Sequence, residues 1–276
     1  MTEATAFVPG HVTAFFTVDR DEEGDPTKTG SRGAGLAIED GVEVTVTDAA
    51  DRQVWLDGEA VEMGAVERVL DTLDADVAVH AESDVPLGRG FGVSGAMALG
   101  TAMATNAVLQ RDLSTNELVT VAHGAEVQAG TGLGDVVGQA LGGLPLRIHP
   151  GGPQHNYVDA VPARPRIEYT TIGELSTEDV IGGETDKLTQ AGAQALSTVV
   201  SEPRPEKVVY AGRRFAREAG LLTERVRQTI RDVTTGGGEA SMAMLGETVF
   251  ALDSGLSDAG YDAERTRVDP AGARLR

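Results

Sequence analysis

The order of apolar and polar residues in the first third of the chain predicts mostly strands. Val42–Thr47 alternates between apolar and polar side chains with a period of two, which is typical of a strand with one buried face. Gly35–Ile38 precedes it as a second apolar run, and Glu39–Gly41 between them has turn-forming residues. We therefore expect two strands joined by this turn, followed by strands at Gln53–Leu56 and Asp76–Ala81.

Three segments have the spacing of apolar side chains that predicts helices. Val61–Leu73 carries its apolar residues on one helical face. Ser94–Leu109 is apolar and small on all sides, so we expect a buried helix there. Ser114, with Glu117 three residues later, predicts a capping box that begins a third helix, which ends near Ala129.

The second half of the chain predicts a second lobe. A strand near Leu144–His149 is followed by residues 150–165, which are rich in proline and favour a boundary. We place an N-terminal lobe at residues 1–155 and a C-terminal lobe at residues 156–276. The pattern of the second lobe predicts one strand and three helices, at 167–172, 185–200, 205–220 and 223–233. We expect the charged tail after Gly260 to fray, and the mixture of elements predicts an α+β protein.

The composition excludes several classes of function. The 276 residues include 23 Lys and Arg against 43 Asp and Glu, a formal net charge of −20, and no cysteine. Binding to nucleic acid or to an anionic membrane needs clustered cations, so both are disfavoured as partners. Thiolate catalysis and cysteine zinc sites are excluded. Because neither a signal-peptide pattern nor a membrane-length apolar run is found, we expect a soluble, cytoplasmic protein.

The acidity has two interpretations. It is typical of a halophilic surface, where screening shortens the Debye length to about 3 Å at 1 M salt and self-repulsion keeps the protein soluble. A cationic partner or several metal sites would also require negative charge. We favour the salt-adapted surface.

A glycine-rich loop between a predicted strand and the buried helix carries the strongest chemical signal. Its sequence from Pro86 to Ala96 is PLGRGFGVSGA. Free N–H groups at a helix start bind anions, so the loop predicts a phosphate site in which Ser94 offers a hydroxyl to phosphate or its metal. A dinucleotide fingerprint also fits Gly90, Gly92 and Gly95, but that motif requires an acidic residue after a second strand, and a long helix follows here. A purely structural loop stays possible.

Three motifs in the expected order resemble the GHMP kinase superfamily. The loop resembles its second motif, agreeing at Gly90, Gly92, Ser94 and Ala96 and departing at Phe91, Val93 and Gly95. Residues 7–16, FVPGHVTAFF, resemble the first motif, with His11 where many members have Lys or Arg. Residues 236–246, GGGEASMAMLG, resemble the glycine-rich third motif. Within the superfamily, these segments and residues 30–35, GSRGAG, resemble the archaeal-type pantoate kinases.

The resemblance implies a fold, a reaction and a set of ligands. The fold would be two-lobed and α+β, with an N-terminal lobe like ribosomal protein S5 domain 2 and a ferredoxin-like C-terminal lobe. The reaction would transfer the γ-phosphate of ATP to pantoate, with Mg²⁺, in coenzyme A biosynthesis. We also expect a homodimer. The implied nucleotide-binding residues are Pro86, Gly88, Arg89, Gly90, Phe91, Gly92, Val93, Ser94, Gly95 and Ala96.

Three residues match the superfamily's catalytic positions. Ser94 and Glu126 would hold Mg²⁺, a hard ion that binds to protein oxygens and phosphate. Asp135, in the segment GTGLGD, would accept the proton of the attacking hydroxyl or orient it. Ordinary structural roles compete with these, since Glu126 would also suit a solvated helix face and Asp135 a helix N-cap.

An anionic substrate requires a cation. Arg147 lies in the apolar stretch Leu144–Ile148 and is the first candidate for the substrate carboxylate, because a guanidinium binds carboxylates in a bidentate manner. His123 is three residues before Glu126 on one helix face and would hydrogen-bond the substrate. Further candidates for substrate binding, each with a competing structural role, are Ser31, Arg32 and His11.

Other functions remain open at this stage. A homoserine or mevalonate-type kinase would share the nucleotide half. A non-catalytic nucleotide sensor would keep the fold and would tolerate the loss of Asp135 and Glu126. A metal-dependent hydrolase would use His123, Glu126 and Asp135 as ligands.

Overall fold

The computed structural model describes residues 3–173 and 185–276. Within these residues the chain forms twelve strands and eight helices. In chain order they are β1 (Glu3–Phe16), β2 (Gly33–Asp48), β3 (Gln53–Leu56), β4 (Glu59–Ala60), α1 (Gly64–Thr72), β5 (Val77–Ser83), α2 (Val93–Val108), α3 (Thr115–Ala129), α4 (Asp135–Leu141), β6 (Leu144–His149), β7 (Tyr157–Val161), β8 (Arg166–Gly173), α5 (Asp186–Ser201), α6 (Pro205–Ala219), α7 (Glu224–Thr235), β9 (Ala240–Ala243), β10 (Glu247–Leu252), α8 (Gly255–Asp258), β11 (Glu264–Arg267) and β12 (Arg274–Leu275).

The elements build two sheets. The larger has the order β12-β1-β2-β5-β3-β4, with β6 pairing to β2 and β7 pairing to β6. Its pairings are antiparallel except that of β3 with β5. The smaller sheet is antiparallel in the order β11-β8-β10-β9. The α+β class predicted from the sequence is therefore confirmed, while the lobe boundary near residue 155 stays a prediction.

The turn predicted at Glu39–Gly41 is wrong. The chain continues through it as one strand, β2, and the pairing with β1 shifts in register so that Pro9 faces Gly41 and Gly10 faces Ile38. The extra residues form a bulge, which a long twisted pair of strands accommodates. Asp40 in this bulge accepts hydrogen bonds from residues of the smaller sheet, Tyr169 and Thr266, so an apparent turn signal joins the two sheets.

The predicted helices are confirmed, and α2 is the most buried of them. Its Gly100 packs against Val44 of β2, so that the helix lies directly on the sheet. α1 and α3 cover its other side. The Ser114–Glu117 capping box is present at the start of α3. Among the described residues, no helix combines the length and the apolar character needed to cross a membrane.

The expectation of a frayed tail is also wrong. β11 pairs with β8, and β12 pairs with β1. Val268 and Asp269 between them are buried, and Asp269 accepts a hydrogen bond from Arg274 at 2.8 Å. The charged residues had suggested solvent exposure. The charged residues belong to two short strands, β11 and β12, each of which pairs with a different sheet. The pairing of β12 covers the otherwise unpaired edge of β1.

We predict that Gly100→Ala destabilises the protein, because the new Cβ would lie 2.5 Å from the Cγ2 atom of Val44. Such overpacking costs about 1–3 kcal/mol in unfolding free energy, measured by urea denaturation. The matched control is Gly124→Ala in α3, where the nearest atom outside the helix is 4.0 Å away. That variant should be unchanged or more stable, by up to about 1 kcal/mol. Equal stabilities for the two variants would contradict the packing described here.

Candidate active site

The glycine-rich loop opens the N-terminus of α2 to a ligand. Gly88, Gly90 and Gly92 all have positive φ angles, of 75°, 88° and 66°, which L side chains adopt rarely. Gly92 is the N-cap of α2, and no side chain caps the helix there. The free N–H groups and the helix dipole therefore suit an anion, and the phosphate site at this loop stays a prediction.

The loop is held from both sides. Phe91 is 1% exposed, and its carbonyl accepts a hydrogen bond of 2.8 Å from the backbone N–H of His11. The side chain of Gln139, on α4, donates at 2.9 Å to the carbonyl of Gly92. The buried side chain of Phe91 thus anchors the loop. The backbone of the loop glycines remains available to contact a ligand.

Ser94 and Glu126 lie together, as predicted. The hydroxyl of Ser94 donates to Oε1 of Glu126 at 2.5 Å, and the hydroxyl of Thr131 donates to the same oxygen at 2.7 Å. Glu126 is 2% exposed, so the solvated-face interpretation of this residue does not hold. Burial raises the pKa of Glu126 to about 7, against the two hydrogen bonds, which lower it.

Asp135 begins α4 and forms a second carboxylate site. Its Oδ1 lies 2.6 Å from Nδ1 of His11 and accepts a hydrogen bond of 2.9 Å from the Thr13 hydroxyl. Both partners are on β1. Burial alone would raise the pKa of Asp135, but the hydrogen bonds from His11 and Thr13 and the charge of Arg147 outweigh it, so its pKa lies below the ordinary value.

The protonation state of this pair follows from its surroundings. His11 is 1% exposed, and burial lowers the pKa of its imidazole in spite of the bond to Asp135. The ring is therefore neutral at pH 7 and donates its Nδ1 hydrogen to an ionised carboxylate. The carboxylate of Asp135 is therefore ionised and held in one orientation, as a proton acceptor requires.

A small, partly open cleft lies beside Asp135. Its lining residues are Thr13, Phe16, Ser31, Gly132, Leu133, Gly134, Asp135, Arg147 and Leu245. Arg147 is 2% exposed, and its Nε and Nη1 atoms have no hydrogen-bond partner within the described residues. Buried guanidinium N–H groups without partners are costly, so they indicate a place for an anionic ligand.

Gly134 makes room at this guanidinium. A Cβ added there would lie 2.7 Å from Nε of Arg147 and 2.5 Å from Oγ of Ser31. Ser31 is 3% exposed and belongs to the cleft. Arg32 points elsewhere and forms an ion pair of 3.0 Å with Asp19. Its role in substrate binding stays a prediction.

His123 is buried behind the same region. Its Nε2 lies 2.9 Å from the carbonyl of Thr29 and so carries the hydrogen, while Nδ1 has no partner in the described chain. Burial lowers the pKa of His123. The neutral ring therefore offers an unpaired acceptor, which suits a substrate hydroxyl.

A hard metal ion fits the Ser94–Glu126 pair. Both supply oxygen donors, and a Cβ at Gly132 would lie 2.3 Å from Oε2 of Glu126, so the missing side chain leaves that oxygen accessible. In residues 3–173 and 185–276, no three His, Asp or Glu side chains group so that they could bind a metal. The three-ligand hydrolase site with His123, Glu126 and Asp135 is therefore not supported.

Sequence reasoning missed Thr13, Thr131 and Gln139. Thr13 follows His11 by two residues, so the period of a strand would have placed both on one face. Gln139 follows Asp135 by four residues and lies on the same side of α4. Gly130 was the local signal for Thr131: it ends α3 in the left-handed conformation, and the backbone N–H of Thr131 then returns to the carbonyl of Glu126 at 3.2 Å.

Comparisons with known proteins agree with this geometry. Residues 60–143 match the family described as GHMP kinases N terminal domain. The chain is 34% identical over 263 residues to the pantoate kinase of Thermococcus kodakarensis, covering 90% of this chain and 86% of that protein. It is 32% identical over 253 residues to the pantoate kinase of Methanocaldococcus jannaschii, covering 89% and 91%.

Solved structures show the same fold. A phosphotransferase related to the CoA biosynthesis pathway superposes with a TM-score of 0.88 at 30% identity, covering 100% of this chain and 99% of that one. A homoserine kinase from Cytophaga hutchinsonii has a TM-score of 0.72 at 18% identity, covering 100% and 98%. These likenesses confirm the predicted two-lobed α+β fold.

We predict that Glu126→Gln makes stability less sensitive to pH. The folded pKa of Glu126, about 7, is above the ordinary 4.5, so its contribution to stability is fully present below pH 4.5 and is lost as pH rises through 7. The unfolding free energy of the variant relative to wild type should therefore rise by about 3 kcal/mol between pH 4.5 and pH 8, measured with a chelator present.

Glu117→Gln is the control for this experiment. Hydrogen bonds from Ser114 lower the pKa of Glu117 below the ordinary 4.5, so its replacement should change stability with the opposite sign, mainly below pH 4.5, and little between pH 4.5 and pH 8. If the difference between Glu126→Gln and wild type did not change with pH, Glu126 would not be a desolvated carboxyl group.

Proposed function

The chain belongs to the GHMP kinase family and, within it, to the pantoate kinases, and we propose on this premise that it phosphorylates pantoate. It transfers the γ-phosphate of ATP to the C4 hydroxyl and gives 4-phosphopantoate for coenzyme A synthesis. The observation that carries the proposal is the cleft in which the unpaired guanidinium of Arg147 faces an ionised Asp135. Pantoate has a carboxylate that can pair with Arg147 and a hydroxyl that can donate its proton to Asp135.

The nucleotide half follows from the loop. The phosphates of ATP accept hydrogen bonds from the free N–H groups at the N-terminus of α2. Ser94 and Glu126 would hold Mg²⁺, which would supply positive charge to neutralise the phosphates. The bonds of Ser94 and Thr131 keep the Glu126 carboxyl in one orientation.

The acceptor half follows from the second carboxylate. Asp135 takes the proton of the C4 hydroxyl, or at least orients that hydroxyl, which is typically worth about 10²–10⁴ in rate. His11 and Thr13 fix the carboxylate and keep it ionised. We therefore assign His11, first considered as a substrate ligand, a role through Asp135.

The substrate carboxylate binds to Arg147, with the hydroxyl of Ser31 beside it. His123 is buried and does not line this cleft, so its contact with the remaining hydroxyl stays a prediction. Homoserine has the same carboxylate but fits this site less well, because its ammonium group, where pantoate has a neutral C2 hydroxyl, would lie near the positive charge of Arg147. A homoserine kinase of Halorubrum lacusprofundi matches this chain at 33% identity over only 39% of its length. Pantoate is therefore favoured over the homoserine alternative.

We predict activity with pantoate in a panel of acceptors that also contains homoserine, mevalonate and shikimate. The activity is measured as ADP release.

Arg147→Met should raise KM for pantoate by about 100-fold with little change in KM for ATP, since it removes a buried charge partner. Asp135→Asn should lower kcat by at least about 100-fold. Turnover of another acceptor without pantoate would contradict the proposal.

Arg164→Met is the matched control, because Arg164 is an exposed arginine that pairs with Glu39 away from the cleft. Its kinetic constants should equal those of wild type. ATP binding without any turnover, together with full tolerance of Asp135→Asn, would instead indicate a nucleotide sensor.

A further inference from the structure

The cleft beside Asp135 has a polar wall and an apolar wall. Thr13, Ser31, Asp135 and Arg147 supply hydrogen-bonding and charged groups. The apolar wall consists of Phe16, Leu133 and Leu245. The polar groups have roles in the proposed reaction, whereas the apolar side chains have none in phosphoryl transfer.

Leu245 has an unusual backbone conformation. Its φ angle is +67°, in the left-handed region that L side chains disfavour. The other non-glycine residues with positive φ in the described chain are aspartates and one glutamine. An aliphatic side chain is therefore kept at a position where glycine would fold with less strain, and strain of this kind clusters at binding sites.

The turn that carries Leu245 is fixed between the two halves of the site. On one side, Gly246 packs so closely on the phosphate loop that an added Cβ would lie 2.1 Å from the carbonyl oxygen of Arg89. On the other side, the backbone N–H of Met244 donates at 2.8 Å to the carbonyl of Thr13. Neither contact needs the side chain of Leu245, which packs partly buried against the hydrophobic core. Core packing accounts for an apolar residue there, but its position on the wall of the cleft requires another explanation.

The proposed substrate supplies an explanation for the position of Leu245 in the cleft. Pantoate carries two methyl groups on C3, the carbon next to the hydroxymethyl group that receives the phosphate. With its carboxylate on Arg147 and its C4 hydroxyl at Asp135, these methyl groups need apolar contact on a remaining side of the cleft. We infer that Leu245, with Phe16 and Leu133, forms the wall that recognises the two methyl groups. This assignment rests on the proposed function and deepens it.

The test compares pantoate with 2,4-dihydroxybutanoate, which has the same carboxylate and hydroxyls but lacks both methyl groups. Wild type should prefer pantoate by at least about tenfold in kcat/KM, since each methyl in an apolar pocket is worth about 10-fold or more. Leu245→Gly and Leu245→Ala should lower kcat/KM for pantoate by at least about tenfold and change that for 2,4-dihydroxybutanoate by less than about threefold. KM for ATP should stay the same.

Stability separates this role from a structural one. Leu245→Gly relieves the backbone strain, so its Tm should equal or exceed that of wild type, whereas Leu245→Ala keeps the strain. The matched control is Leu275→Ala, an exposed leucine outside the cleft, for which both acceptors should behave as with wild type.

Two failures are distinguishable. If wild type turns over pantoate and the Leu245 variants lose equal activity with both acceptors, the assignment of the apolar wall is overturned and the proposed function stands. If wild type turns over neither acceptor, the proposed function is overturned, and the assignment falls with it.

Discussion

The site depends on keeping one nearly enclosed carboxylate ionised. Asp135 is 19% exposed, and an unpaired charge at such a position would be neutralised by a shift of its pKa. His11 and Thr13 prevent this with two hydrogen bonds to a single oxygen, and the charge of Arg147 adds to them. Because His11 and Thr13 come from β1 while Asp135 and Arg147 come from the consecutive elements α4 and β6, the fold must bring the two distant parts of the chain together before the carboxylate can act.

Two neighbouring carboxylates are thereby given different properties. Asp135 accepts hydrogen bonds from His11 and Thr13 and has a pKa below its ordinary value, whereas Glu126 is desolvated and has a raised pKa of about 7. Two carboxyl groups whose surroundings give them different pKa values can have different roles in one reaction. In this site the first is suited to accept a proton and the second to bind a cation once that cation is present.

Local signals were enough to predict the loop, the Ser114 capping box and the helices, because each depends on residues close in sequence. The motifs that resemble a known family placed Ser94, Glu126 and Asp135 correctly near the loop and the cleft. The bulge at Asp40 and the paired tail could not be predicted, since both depend on strands that come from the far end of the chain. The strained leucine in the cleft was missed for the same reason.

The net charge of −20 belongs to the protein as a whole and not to its site, where helix N–H groups and Arg147 are suited to receive two anions. The central claim is that contacts from β1 keep Asp135 ionised for proton acceptance. The most direct measurement is kcat/KM for pantoate against pH in wild type and in Thr13→Val, which keeps the shape but removes one hydrogen bond. The account predicts that the acidic limb of the profile moves to higher pH in the variant. A limb at an unchanged pH would contradict it.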